Sequence, residues 1–242
     1  WIESGRIGEG WMIYAGAQTA GRGQRRSAWH SQAGANLLAS VVMAPHHLRV
    51  GNSFLLSMML ALSAADAVSA STCEAPSPAI KWPNDLWLGG GKLAGMLIEN
   101  HWQGNHWRWA VGGLGLNVGQ TDFPEGLGAT SLRKVGVAVE VSRLLHTWID
   151  ALNKWYAATF PGLQDRLVSA YHERLLGYHQ WHLFRQPGSP PFRAYHEGVA
   201  PDGYLRLRTE EGRLHKFAFK EVQWLGWDHA REAEHHPRGG WT

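Results

Sequence analysis

Residues 81–100 read KWPNDLWLGGGKLAGMLIEN, two apolar runs separated by a polar turn and three glycines. Residues 80–82 and 86–88 have the composition of short strands, and Pro83-Asn84-Asp85 between them is typical of a turn. Residues 92–99 and 108–117 predict two further strands, joined by a turn at Gly104-Asn105. The centre of the chain is therefore predicted to be a sheet of consecutive hairpins.

The flanking sequence adds strands and helices to this sheet. On the N-terminal side, residues 11–17 predict a buried strand and residues 36–43 another. Residues 48–70 have apolar side chains at helical spacing. Residues 137–160 and 161–176 predict two more helices, with Pro161 in the first turn of the second. The expected fold class is α+β, with a mixed sheet flanked by helices.

From residue 177 onwards the pattern changes to short alternating stretches separated by turn residues, which predicts a small all-β unit. We expect three segments: a larger domain over residues 1–176, the β unit over 177–227 and a loose polar tail over 228–242.

Composition narrows the function classes. The 242 residues include 44% hydrophobic and 18% charged residues, as in folded proteins, and the net charge is only +3. That charge gives no support for nucleic-acid binding, so DNA is not expected as a partner. With only Cys73 there is no internal disulfide, and we expect a cytoplasmic protein without a membrane segment. No histidine group has carboxylate or cysteine partners at metal-ligand spacing.

Three clusters carry candidate chemistry. The loop Gly21-Arg22-Gly23-Gln24-Arg25-Arg26 follows a strand, and its glycines and arginines suit a phosphate or carboxylate. A solvated basic turn explains the same residues.

The second cluster is Asn84 and Asp85 with Lys92, which would share a pocket if their strands form a hairpin. Asn84 and Asp85 offer oxygen ligands that suit Mg²⁺. The alternative is a turn selected for its backbone geometry, with surface lysines.

The third cluster, Gly112-Gly113-Leu114-Gly115-Leu116-Asn117, places costly glycines inside a strand. They indicate close approach of a ligand or of another backbone, while bulge or packing glycines remain an equal alternative.

Taken together, these phrases resemble the biotin protein ligases. The family's motifs are matched, in order, by Ala20-Gly21-Arg22-Gly23, Lys81-Trp82-Pro83-Asn84-Asp85, Lys92-Leu93-Ala94-Gly95 and Gly113-Leu114-Gly115-Leu116-Asn117. The resemblance spans about residues 10–227. It implies a catalytic sheet related to class II aminoacyl-tRNA synthetases, followed by an SH3-like barrel.

The resemblance also implies a reaction and its participants. Biotin would be activated by ATP, with Mg²⁺, to biotinyl-AMP and transferred to a lysine of a biotin carboxyl carrier domain, usually that of acetyl-CoA carboxylase. The implied catalytic residues are Lys92, Arg22 and Asp85, with Asp85 also as the Mg²⁺ ligand. Biotin would meet Gln18, Gly21, Arg22, Gly23, Gln24, Lys92, Gly95, Gly113 and Gly115. ATP would meet Arg22, Gln24, Trp29, Asn84, Lys92 and Asn117, with Trp29 stacked on adenine.

Three departures from the family pattern qualify the prediction. Arg26 stands where the family loop usually has glycine, so an arginine would be strained if that position needs a positive φ. The sequence starts at Trp1, after the family's Asp-Ser-Thr-Asn-like segment, so a truncated N-terminus and weakened biotin binding are expected. The winged helix with which some relatives bind DNA is not in this sequence.

Two other functions stay open at this point. A lipoate ligase would share the fold, although lipoate enzymes generally keep only part of the motif at residues 81–95. A non-catalytic fragment that binds carrier domains is the other alternative. Both a monomer and a homodimer agree with the sequence.

Overall fold

The computed structural model describes residues 2–24, 28–71, 77–104 and 106–225, so Trp1, Arg26, Cys73 and the predicted tail 228–242 lie outside the described residues. The chain order is β1 (Met12–Tyr14), β2 (Leu37–Met43), α1 (Phe54–Ser71), β3 (Ala79–Lys81), β4 (Asp85–Leu88), β5 (Gly91–Gln103), β6 (His106–Leu116), α2 (Val141–Ala157), α3 (Gln164–Glu173), β7 (Trp181–Arg185), β8 (Phe192–Val199), β9 (Leu205–Thr209), β10 (Leu214–Phe217) and β11 (Gln223–Leu225).

The first six strands form one sheet in the order β1-β2-β6-β5-β4-β3. The ladders between these neighbours are all antiparallel, and parallel pairing is limited to the isolated bridges Ile80–Leu175 and Lys92–Ala129. The predicted hairpins β3–β4, β4–β5 and β5–β6 are confirmed. In the β4–β5 register, Asp85 is opposite Gly95 and Trp87 is opposite Lys92.

One face of this sheet packs against α1. Because side chains alternate along a strand, Leu37, Val41 and Met43 of β2 point into the core with α1. Twelve residues of α1 are buried, on all sides of the helix, because the helix lies between the sheet and α2 and α3. The helical stretch Val50–Ser71 is apolar and long enough to cross a membrane, but it is mostly buried inside the protein, as expected for a core helix. The opposite face of the sheet is left open.

Three predictions about element positions are wrong. The strand near residue 11 is not buried: Trp11, Ile13 and Tyr14 are 55%, 47% and 47% exposed. The reason is that β1 is a three-residue edge strand, hydrogen-bonded to β2 alone. Helix α2 begins at Val141, after an extended Glu140 with ψ of 133°. Helix α3 begins at Gln164, so Pro161 lies in the preceding turn, where Gly162 has a φ of +87°.

The predicted all-β unit is confirmed as a five-stranded antiparallel sheet in the order β10-β9-β8-β7-β11. It contacts the turn between β3 and β4 and the start of α1. The indole nitrogen of Trp82 donates a hydrogen bond to the carbonyl oxygen of Gly203 at 3.0 Å, and the backbone N–H of Phe54 donates to that of Pro201 at 3.2 Å. The boundary at residues 176 and 177 stays a prediction.

Candidate functional site

A cavity of about 590 Å³ lies over the open face of the first sheet. Its floor comes from β2, β5 and β6. One wall comes from Arg22, Gly23 and Gln24, the described lining residues of the Gly/Arg-rich loop, and another is the turn between β3 and β4, where the Trp82–Pro83 peptide bond is cis. The predicted site residues that line it are Gln18, Arg22, Gly23, Gln24, Trp29, Asn84, Asp85, Lys92, Gly95, Gly113 and Gly115. The three sequence clusters thus meet in one place.

The centre of the cavity is an ion pair. Lys92 Nζ lies 2.7 Å from Asp85 Oδ1, and the two side chains are partly buried, with 31% and 23% of their surface exposed. The β4–β5 hairpin brings both residues to one pocket, as the sequence predicted, and the ion pair forms there. Burial raises the pKa of Asp85 although the charges of Lys92 and Lys81 act in the opposite direction. A lysine ammonium therefore sits beside a carboxyl group that holds its proton more strongly than a free aspartate does.

The floor is built from glycines that carry an aromatic ring. Gly95 of β5 faces Gly115 of β6 across the ladder. A Cβ atom at Gly115 would come within 2.5 Å of Trp29 Cε2, and one at Gly95 would come within 3.1 Å of Trp29 Cζ3. The indole of Trp29 therefore lies directly on the backbone, where side chains would exclude it. For the β6 glycines, the sequence left approach of a ligand or backbone and packing as equal alternatives, and at Gly115 the structure shows packing of the Trp29 indole.

The loop cation Arg22 is held loosely. Its guanidinium Nη2 lies 3.3 Å from Glu99 Oε2, and the Arg22 side chain is 71% exposed. Exposed pairs of this kind are worth about 0–1 kcal/mol, so an anionic ligand can compete for the guanidinium.

Asn84 is locked into the hairpin. Its side-chain Nδ2 donates to the backbone carbonyl oxygen of Met96 at 2.6 Å. The backbone carbonyl oxygen of Asn84 accepts from Met96 N–H at 2.9 Å. This places the side chains of Asn84 and Asp85 at the cavity.

Two predicted residues do not line the cavity. Gly21 sits at the base of the loop, where a Cβ atom would collide with the carbonyl oxygen of Trp29. Asn117 is buried, and its Nδ2 donates to the carbonyl oxygen of Thr130 at 3.0 Å. Both stabilise the backbone around the cavity, and their ligand contacts stay predictions.

The described residues do not form a dedicated metal cage. Among residues 2–24, 28–71, 77–104 and 106–225, no three His, Cys, Asp or Glu side chains are grouped as metal ligands. Asp85 and Glu99 are the carboxylates that line the cavity, and they already contact Lys92 and Arg22. Mg²⁺ usually needs only one or two carboxylates when substrate phosphates complete its coordination, so Asp85 fits a metal that arrives with a nucleotide.

The sequence predictions missed Glu99, Phe219 and Lys220, which also line the cavity. Glu99 is four residues after Gly95 on β5, so strand alternation places it on the same face. Phe219 and Lys220 follow β10 in the second sheet. No local sequence pattern indicates that they return to the first.

The family model for the "Biotin/lipoate A/B protein ligase family" matches residues 2–117. A curated relative, the "Biotin--[acetyl-CoA-carboxylase] ligase" of Paracoccus denitrificans, is 30% identical over 220 residues, 88% of this chain and 89% of that protein. The "Bifunctional ligase/repressor BirA" of Bacillus spizizenii is 34% identical over 209 residues; they make up 84% of this chain but only 63% of the relative.

Solved structures agree on the fold. The biotin protein ligase from Aquifex aeolicus in complex with biotin and ATP superposes with a TM-score of 0.74 at 22% identity, covering 90% of both chains. The biotin protein ligase from Leishmania major in complex with biotinyl-5-AMP gives a TM-score of 0.59 at 21% identity, covering 90% of this chain and 91% of that chain.

Proposed function

Because this chain belongs to the biotin protein ligase family, we propose that it activates biotin with ATP and transfers the biotinyl group to a lysine of a biotin carboxyl carrier domain. The observation that carries the proposal is the Lys92–Asp85 ion pair, 2.7 Å long, in a cavity bounded by the Gly/Arg-rich loop.

In the first step, a biotin carboxylate oxygen attacks the α-phosphorus of ATP, the bond to the β-phosphate oxygen breaks, and pyrophosphate leaves. Two anions must approach each other. Lys92 supplies a positive charge between them, and Arg22 adds a second charge once it leaves Glu99. Preorganised charges in a site shielded from water stabilise such a transition state more than they would in bulk water.

In the second step, the ε-amine of the carrier lysine attacks the carbonyl carbon of biotinyl-AMP, and AMP leaves. The attacking amine must lose a proton. The carboxyl group of Asp85, with its raised pKa, is better matched to accept a proton near neutral pH than an ordinary aspartate. Asp85 is therefore proposed to accept this proton and, in doing so, to position the incoming lysine.

Substrates and surroundings complete the proposal. Asp85 would hold a Mg²⁺ ion bound to the ATP phosphates, and the ion would supply further neutralisation of phosphate charge. The proposed carrier is the biotin carboxyl carrier domain of acetyl-CoA carboxylase. The ligase itself is proposed to be cytoplasmic and to work as a monomer or homodimer. The family model includes lipoate enzymes, whereas the curated relatives named above are biotin ligases or a ligase/repressor, so the lipoate alternative is not favoured.

The test is a mass measurement. The chain is incubated with ATP, Mg²⁺, an apo carrier domain and either biotin or lipoate, and we expect the carrier to gain one biotinyl group. Lys92→Ala should reduce the rate by roughly 10²–10³-fold or more, as loss of one preorganised donor does elsewhere. Lys216→Ala, on β10 and outside the cavity lining, is the matched control. A gain with lipoate alone would identify a lipoate ligase, and no gain with either acid would favour a non-catalytic binder.

A further inference from the structure

The second sheet contributes a basic residue to the cavity of the first. Phe219 and Lys220 line the cavity from the turn that follows β10. Phe219 packs edge-on against Trp82, with ring centroids 6.1 Å apart and an angle of 80° between the ring planes. Trp82 is tied to the second sheet through Gly203. Lys220 is therefore fixed on the side of the cavity formed by the turn between β3 and β4.

The backbone at Lys220 has an unusual conformation. Its φ is +72°, and among the described residues other than glycine only His179 shares a positive φ. This left-handed region is disfavoured for a residue with a long side chain. The turn is closed by hydrogen bonds in both directions between Ala218 and Glu221. Strained backbone held in place by its surroundings is typical of functional sites.

Lys220 also differs from the other cations at the cavity in its ion pairing. Arg22 pairs with Glu99, and Lys92 pairs with Asp85. Lys81 acts on the same Asp85 through its charge. Within the described part of the chain, no carboxylate lies within ion-pair distance of the Lys220 ammonium, which is 5.8 Å from the Phe219 ring. It is a cation at a substrate cavity without an acidic partner there.

We propose that Lys220 binds the β- and γ-phosphates of ATP and holds the pyrophosphate until it leaves. This rests on the proposed function and extends it to the second sheet. Lys92 and Arg22 are needed where the carboxylate meets the α-phosphate, so the remaining phosphates require a further positive charge. An ammonium on a flexible stem suits that role as a point charge for phosphate oxygens. It also makes the second sheet part of the nucleotide site.

The test compares Lys220→Met, which keeps length and removes charge, with Lys220→Arg, which keeps the charge. Lys216→Met on β10 is the matched control. For Lys220→Met we expect the KM for ATP and the inhibition constant for added pyrophosphate to rise about tenfold, as loss of one charge-assisted contact implies. The KM for biotin should change by less than about twofold, because uniform loss of phosphate binding leaves the biotin contacts in place. Lys220→Arg should keep both the KM for ATP and the inhibition constant for pyrophosphate close to the wild-type values.

A further variant separates charge from folding. Lys220→Gly suits the φ of +72°, so it should unfold at a higher temperature than the wild type and still show the tenfold loss toward ATP.

The outcomes separate the two proposals. If wild-type protein forms no biotinyl-AMP, the proposed function fails. If wild-type protein forms biotinyl-AMP, and Lys220→Met leaves the KM for ATP and the inhibition constant for pyrophosphate unchanged, only the role of Lys220 is overturned. A rise in the KM for the carrier domain with unchanged ATP values would overturn it as well, in favour of carrier binding.

Discussion

The position of the Trp29 ring in the site depends on the absence of a Cβ atom at Gly95 and at Gly115. The indole lies on the backbone because Gly95 and Gly115 face each other in neighbouring strands. The glycine-rich sequence of β6 predicts that something approaches the strand closely. It cannot predict which group does so, because Trp29 reaches the glycines from a loop more than 60 residues away in sequence.

A methyl group at residue 115 should displace the ring. In Gly115→Ala the new Cβ atom would lie 2.5 Å from Trp29 Cε2, closer than van der Waals contact allows. We expect the free energy of unfolding to fall by about 1–3 kcal/mol, as for other overpacked sites. Gly113→Ala is the control, because its nearest neighbours are 3.6 Å away. Chemical denaturation of both variants measures the difference, and equal losses would show that Trp29 adjusts without cost.

Among the elements, α1 determines how the layers fit together. Its apolar composition predicts a buried helix, and the structure confirms this. The charged exception is Asp66, whose Oδ2 accepts hydrogen bonds from Lys154 Nζ and Trp155 Nε1 at 2.8 Å and whose Oδ1 forms an ion pair with Arg174 Nη1 at 2.6 Å. One carboxylate thus joins α1 to α2 and to the residue that follows α3. Helix periodicity alone could not predict this arrangement, since the partners come from distant parts of the sequence.

Removing the Asp66 charge should loosen the helical layer. Burial alone would raise the pKa of Asp66, but hydrogen bonds from Lys154, Trp155 and Arg174 outweigh it and lower the pKa. A lowered carboxyl pKa contributes stability above the unfolded pKa and loses it as the pH falls through the folded one. Asp66→Asn should therefore reduce the free energy of unfolding by about 1–3 kcal/mol at pH 7 and by less below pH 3.8.

Asp150→Asn, on the exposed side of α2, is the control for this prediction. Denaturant unfolding at pH 7 and at acid pH provides the measurement. A loss of the same size at both pH values would mean that the Asp66 carboxylate does not act through its charge.

The boundaries of elements were harder to predict than their existence. The turn residues Pro83, Asn84 and Asp85 correctly indicated a hairpin, because their backbone preferences act locally. The exposure of β1 depends on its place at the edge of the sheet, and strand order is a property of the whole fold. For the same reason, the starts of α2 and α3 followed tertiary contacts and turns, although apolar spacing continued beyond them.

At the scale of the whole molecule, histidines collect where α3 meets the second sheet. His172 Nε2 accepts a hydrogen bond from Val199 N–H at 3.0 Å, and His196 Nδ1 accepts from Gly198 N–H at 3.1 Å. Tyr178 stacks against His172, with ring centroids 4.8 Å apart. Burial lowers the pKa of His172 and of His182, and it lowers that of His196 to about 3. At pH 7 these three rings are therefore predominantly neutral in the folded protein.

The junction should weaken in mild acid. A histidine in the unfolded chain takes up a proton near pH 6.5, while buried His196 does so only near pH 3. The unfolded state therefore binds more protons between these values, and stability falls as the pH drops below 6.5. His196→Asn keeps an acceptor for Gly198 N–H and cannot titrate.

We expect the Tm of His196→Asn to fall less steeply between pH 7 and pH 5 than that of the wild type. His215→Asn, an exposed position on β10, should behave like the wild type. Parallel slopes for all three proteins would assign the acid sensitivity to other groups.

The contact between Trp82 and Phe219 has a consequence for synthesis. A ribosome makes β1 to β6 and the helices first, and the turn that carries Phe219 and Lys220 is translated only after β10. A chain stalled before that turn has the Gly/Arg-rich loop and the Lys92–Asp85 pair but lacks one wall of its cavity. Translation order thus delays the completed cavity until most of the chain has been synthesised.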